Sequence, residues 1–164
     1  MSEKAYNVLF ICTGNSARSI MAEGLLNHLG QGRFRAYSAG SQPTGVVHPL
    51  ALETLAHLAL PTDGYSSKRW DEFATPEAPS MDFVFTVCDR AAGETCPVWP
   101  GQPVTAHWGM PDPAALAPDA DAHKAFLDTA ILFKRRIELM LALPLPSIDR
   151  MSLQFAVRAI GQQS

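Results

Sequence analysis

The chain has 164 residues, 47% of them apolar and 18% charged, a balance that excludes a disordered tail and suffices for one globular domain over 1–164 with its own core. Its 13 basic and 16 acidic side chains give a formal charge of -3, which argues against a nucleic-acid or anionic-membrane binder while allowing a local cationic pocket. The longest apolar runs, such as Leu139 to Leu143, are too short to span a bilayer, and Met1-Ser2-Glu3-Lys4 lacks the layout of a secretion signal, so a soluble cytoplasmic protein is expected.

In chain order, Ala5 to Ile11 reads as a buried strand, short, apolar and rich in aromatic and β-branched residues. It runs into a loop of small and polar residues, Cys12 to Ser19. A helix follows from Arg18 to Leu29, with Met21, Leu25, Leu26 and Leu29 at helical spacing and Gly30 and Gly32 closing it. Arg33 to Ser38 is a second strand. Pro49 suits the first turn of a second helix whose apolar face is Leu52, Leu55, Ala56 and Ala59. The turn-rich stretch from Thr62 to Ser80 holds a short helix near Lys68 to Phe73. Asp82 to Val87 and Val104 to Trp108 are further strands. Asp119 to Leu143 is the clearest helix: Phe126, Ala130, Phe133, Ile137 and Met140 recur at steps of four and three, with Lys134, Arg135, Arg136 and Glu138 between them. A last helix runs from Asp149 to Ile160. Strands alternating with helices predict parallel pairing and a small three-layer α/β/α domain.

In such sheets ligands bind beyond the carboxyl ends of the strands. Cys12, Cys88 and the segment from Trp108 to Pro113 all fall there. In the first loop, Gly14 and Asn15 tolerate the positive φ that turns successive amides inward, and the following helix adds its positive end. An oxyanion cradle over Thr13, Gly14, Asn15, Ser16, Ala17 and Arg18 is therefore expected, with the Arg18 guanidinium forking onto two oxygens. In that field Cys12 is expected to have a lowered pKa and to exist largely as thiolate, with Ser19 donating to its sulfur and Asn15 bracing the loop. The plain alternative is a buried cysteine ending a strand. Three cysteines in a cytoplasmic chain make a poor disulfide framework, so each is a core thiol, a metal ligand or a reactive group. A zinc site from Cys88, Cys96 and His107 or His123 does not match the usual short ligand spacing. Asp112, between Pro111 and Pro113, is a candidate proton donor. His28, His57 and His123 read as ordinary helix residues, and His107 receives no role.

Cys12-Thr13-Gly14-Asn15-Ser16-Ala17-Arg18-Ser19, followed by Met21-Ala22-Glu23, resembles the opening motif of the low-molecular-weight tyrosine phosphatase superfamily. Ser38-Ala39-Gly40, His48-Pro49 and Asp112-Pro113 are similar to its later landmarks. Val87-Cys88-Asp89 through Cys96-Pro97 looks like the redox segment of the arsenate reductases within that superfamily. The resemblance implies a four-stranded parallel sheet in the order 2-1-3-4, which would set Cys12 and Cys88 at neighbouring strand ends about 4.8 Å apart, within reach of a disulfide after a modest loop movement. It also implies reduction of arsenate by a Cys12, Cys88 and Cys96 relay, with Arg18 and Asp112 assisting. Phosphate and sulfate would compete, thioredoxin or glutaredoxin with glutathione would be the reductant, and neither a metal nor an organic cofactor is required. Alternative readings are a phosphatase acting on aryl phosphates, which leaves Cys88 and Cys96 idle, and an oxyanion or redox sensor. Ala114 and Ala115 stand where the phosphatases carry an aromatic pair, which favours a small inorganic substrate. Ala17 replaces a second loop cysteine of many relatives, and the Cys88 to Cys96 gap is one residue longer than in the thioredoxin-coupled enzymes.

Overall fold

The computed structural model describes residues 5–88, 103–110, 113, 121–145 and 147–162. Strand β1 (Tyr6–Ile11) runs through the middle of the sheet, and its Val8, Leu9, Phe10 and Ile11 are fully buried. Burial on both faces explains why this strand is an unbroken apolar run and not an alternating one. β2 (Phe34–Ala39) pairs with one side of β1 and β3 (Phe83–Thr86) with the other, and β4 (Val104–His107) lies beyond β3. Among the described residues this is a four-stranded parallel sheet in the order β2-β1-β3-β4, as expected. The register sets Ile11 beside Ala39 on one side and Thr86 on the other, so the residues that follow β1 and β3 emerge together.

Helices α1 (Arg18–Leu29), α2 (Pro49–His57) and α3 (Asp121–Leu141) pack on one another, and α4 (Arg150–Ile160) packs against β4 and α3. The expected stripe of Phe126, Ala130, Phe133, Ile137 and Met140 is fully buried. Positions 119 and 120 lie outside the described residues. Two expectations need correction. In α2 the core face is Ala51, Thr54 and Leu55, while Ala56 is exposed and Ala59 lies past the helix end at φ 63°. Thr54 tolerates burial because its hydroxyl donates to the Leu50 carbonyl at 2.7 Å. The short helix near Lys68 is a single 3-10 turn, Trp70–Phe73.

Asp149 stands just outside α4 as its cap, accepting from the Ser152 amide at 2.9 Å. The helix then covers the outer side of β4. Arg158 Nε donates to the Thr105 carbonyl at 3.1 Å and Arg150 Nη2 to the Pro103 carbonyl at 3.3 Å, two acceptors that β3 does not use. An edge strand left open offers such groups to other chains. Trp108 fastens the arrangement. Fully buried, it stacks on Phe85 at 4.2 Å between centroids and donates its Nε1 proton to the Val157 carbonyl at 2.9 Å. Trp108→Phe keeps the stacking face and removes the donor, so a loss of about 1–3 kcal/mol is expected in urea unfolding. An unchanged midpoint would show that α4 is held by its arginines alone.

Candidate active site

The loop that leaves β1 is held from outside by its carbonyls. The Cys12 amide continues the ladder to Ala39 O at 3.2 Å, and Cys12 O then accepts from the Asn15 amide at 3.2 Å. Thr13 O accepts from Gln42 N at 3.0 Å and Ser16 O from His48 N at 2.8 Å. Gly14 O accepts from both Thr44 N and Ser67 Oγ, each at 3.0 Å. Of the expected cradle amides, Thr13 N is turned onto the Cys88 sulfur and Asn15 N onto Cys12 O, so the anion-binding nest narrows to the amides that follow, at the start of α1. Among the described residues, no acceptor faces the amides of Ser16 and Ala17. Helix α1 starts directly behind them, and its cap position, Ala17, brings no side-chain bond to the helix end.

Asn15 makes the turn possible. It is fully buried at φ 44°, its Oδ1 accepts from Lys68 N at 2.8 Å, and its Nδ2 donates to Ser19 Oγ at 2.8 Å. The bracing role expected for Asn15 is therefore observed. The expected donation from Ser19 to the Cys12 sulfur is not among the hydrogen bonds of the described residues; the buried hydroxyl is engaged by Asn15. Gly40 follows β2 against the same loop, and a Cβ there would collide with the carbonyl oxygens of Cys12 and Thr13. Below the loop, Ser38 Oγ donates to Glu23 Oε1 at 2.5 Å. Burial pushes the Glu23 carboxyl up, and the Ser38 bond and the Lys68 ammonium oppose this. His48 accepts from Leu50 N at 3.1 Å through Nδ1, which caps α2, and its ring lies 4.8 Å from that of Phe126.

Cys12 and Cys88 are 4% and 3% exposed, are not joined by a disulfide, and lie close enough for Cys88 to act on the Cys12 thiol. Val87 N reaches Ile11 O at 2.8 Å, so the β1–β3 ladder carries on to the residue before each thiol's partner strand ends. The Cys88 sulfur also takes the Thr13 amide at 3.3 Å and faces the Thr13 hydroxyl at 3.6 Å. This neighbour reverses the expectation of a lowered Cys12 pKa. Cys88 and then burial push the Cys12 thiol up, against the downward pull of the Arg18 charge and the Gly14 amide.

Arg18, at the start of α1, is half-buried, and its Nη1 donates to the Met110 carbonyl at 2.8 Å beyond the end of β4. Asp112 and Cys96 lie outside the described residues. Arg136, which the sequence leaves as one of the charged positions between the stripe residues with no role, is 4% exposed and donates from Nη1 to the Gly109 carbonyl at 3.2 Å. The signal for it was its spacing: three residues after Phe133 and four before Met140, it flanks the apolar stripe. Among the described residues no three His, Cys, Asp or Glu side chains gather as a metal site, and His123 sits 3.7 Å from Glu53. Among the same residues, no helix is long and apolar enough to cross a membrane.

The sequence profile of the family described as low molecular weight phosphotyrosine protein phosphatase matches residues 7–141. An arsenate reductase of Shouchella clausii (strain KSM-K16) is 36% identical over 114 residues, covering 70% of this chain and 77% of that protein. An arsenate reductase of Staphylococcus aureus (strain N315) is 38% identical over 108 residues, covering 65% and 78%. Among solved structures, an arsenate reductase in the phosphate binding state aligns with a TM-score of 0.69 at 28% identity, over 84% of this chain and 97% of that one. A low molecular weight protein tyrosine phosphatase from T. tengcongensis shares the fold, with a TM-score of 0.66 at 21% identity over 82% and 96%.

The cause of the raised Cys12 pKa is open to direct test. Cys88→Ala removes the largest upward contribution and leaves Arg18 and Gly14 in place. The pH profile of Cys12 alkylation by iodoacetamide is expected to move to lower pH in this variant. An unmoved profile would mean that burial alone raises it.

Proposed function

This chain belongs to the low molecular weight phosphotyrosine protein phosphatase family, and we propose that it reduces arsenate to arsenite, with Cys12 as nucleophile and Cys88 as the second thiol. One observation carries this reading: two buried thiols, not joined by a disulfide, lie together at neighbouring strand ends beside the anion loop. Phosphoryl transfer needs a single thiol, whereas reduction by two electrons needs a pair. The relatives that bear the name arsenate reductase support the same reading.

In the proposed reaction the amides of Ser16, Ala17 and Arg18 at the start of α1 and the Arg18 guanidinium hold the oxygens of arsenate. The Cys12 thiol gives its proton to an arsenate oxygen as its sulfur attacks arsenic, and one oxygen departs as hydroxide that takes a proton from Asp112 and leaves as water. Cys88 then attacks the Cys12 sulfur. The S–S bond forms as the S–As bond breaks, its electron pair stays on arsenic, and arsenite leaves. Thr13 is placed to help this step, because a charge-assisted bond from its amide favours the thiolate at Cys88. Cys96 next attacks Cys88, freeing Cys12 and leaving a Cys88–Cys96 disulfide. Thioredoxin, or glutathione with glutaredoxin, closes the cycle, which fits a reducing cytoplasm. Phosphate and sulfate compete for the cradle.

Three variants test the assignments. Arg18→Lys is expected to lose most arsenate turnover, because an ammonium cannot reproduce the planar fork; wild-type kinetics would remove Arg18 from the anion site. Cys88→Ser and Cys96→Ser are both expected to lose sustained reduction and to keep whatever aryl phosphatase activity the wild type has. They differ in what they trap. Cys96→Ser stalls as a Cys12–Cys88 disulfide after a single arsenite, and Cys88→Ser stalls at the Cys12 adduct. Peptide mapping by mass spectrometry reads the difference, and normal cycling of Cys96→Ser with either reductant contradicts the relay.

A further inference from the structure

Arg136 on α3 is buried although Lys134, Arg135 and Glu138 around it face water. Burial lowers its pKa, and a buried guanidinium is costly unless its hydrogen bonds are well placed. Its Nη1 donates to Gly109 O, and one residue on, Met110 O accepts from Arg18 Nη1. Two guanidiniums from different helices thus grip consecutive carbonyls of the segment leaving β4. The amides of that segment face β3: Trp108 N donates to Thr86 O at 2.7 Å and Met110 N to Val87 O at 3.1 Å.

We propose that Arg136 is a positioning residue for oxyanion binding: by holding the Gly109 carbonyl it fixes the Met110 carbonyl that orients the Arg18 guanidinium. The inference rests on the reading of the Cys12 loop as the oxyanion site. A guanidinium is planar, so anchoring one nitrogen on a fixed carbonyl sets the plane in which the others meet an anion. Without Arg136 the Gly109 carbonyl, between the anchored Trp108 and the Met110 carbonyl that Arg18 uses, loses this donor. Arg18 then keeps its charge and loses its fixed acceptor, which weakens a contact whose worth depends on pre-set geometry. Arg136 itself touches no oxyanion.

The test uses two readouts on the full chain. One is the dissociation constant of inorganic phosphate by calorimetry. The other is the titration of Cys12 in a Cys88→Ala background, read as the pH profile of its alkylation by iodoacetamide, because the Arg18 charge lowers the Cys12 pKa. Arg136→Gln is expected to weaken phosphate binding about tenfold, the size of one lost charge-assisted hydrogen bond, and to move the Cys12 titration to higher pH. Arg136→Lys keeps a charge and a donor and is expected to lose about threefold. In a chain carrying Arg18→Gln, Arg136→Gln is expected to leave the titration where Arg18→Gln alone puts it. If the glutamine variant does not fold, the same comparison is made with Arg136→Lys. Equal shifts with and without Arg18 overturn the proposal, since Arg136 would then act as a distant charge or as general scaffold. Unchanged affinity and titration in the variant overturn it too. A wild-type chain that binds no phosphate refutes the oxyanion reading itself, and the titration still decides the role of Arg136.

Discussion

A backbone segment that presents successive amides to an anion must find other partners for its carbonyls. Here those partners come from two outer stretches, 42–48 and 67–68, which take the oxygens of Thr13, Gly14 and Ser16 and the side-chain oxygen of Asn15. The close approach this needs leaves no room for a side chain at Gly40. It also makes the capping of α2 by His48 part of the site, since the same residue's amide holds Ser16 O. The cradle is thus built from outside inward, and the parallel sheet supplies the rigid floor on which it stands.

The second thiol changes the electrostatics of that cradle. A helix end, inward amides and a guanidinium all favour a thiolate at Cys12, and in a site with one sulfur they would prevail. Cys88 lies beside it and pushes the Cys12 thiol up, and the Thr13 amide is turned onto the Cys88 sulfur. One loop amide is therefore directed to the sulfur that the proposed reaction uses second. The geometry that tunes nucleophilic attack and the geometry that tunes disulfide formation are one network.

Much of this was legible in the sequence. The unbroken run from Val8 to Ile11 marked a strand buried on both faces, and the stripe from Phe126 to Met140 marked the main helix. Gly14 and Asn15 marked the turn of the loop. The misses have physical causes. The Cys12 pKa depends on a contact across 76 positions of chain, between strands that pair only in the fold. Arg136 received no role because periodicity records where a residue sits and not whether a carbonyl waits for it. The end of α2 was read too late because Ala59, apolar and in phase, leaves the helix at positive φ. In the same helix Thr54 was passed over for the core, since its hydroxyl is satisfied by the preceding turn.

The central claim is that two electrons come from this chain's own thiols. The direct measurement is a single turnover: fully reduced wild-type protein, mixed with arsenate under anaerobic conditions with no reductant, analysed for arsenite and for free thiols. The account predicts one arsenite released and two thiols lost per chain, with Cys12 alkylatable again at the end and Cys88 joined to Cys96. No arsenite, or arsenite without loss of thiols, would contradict it.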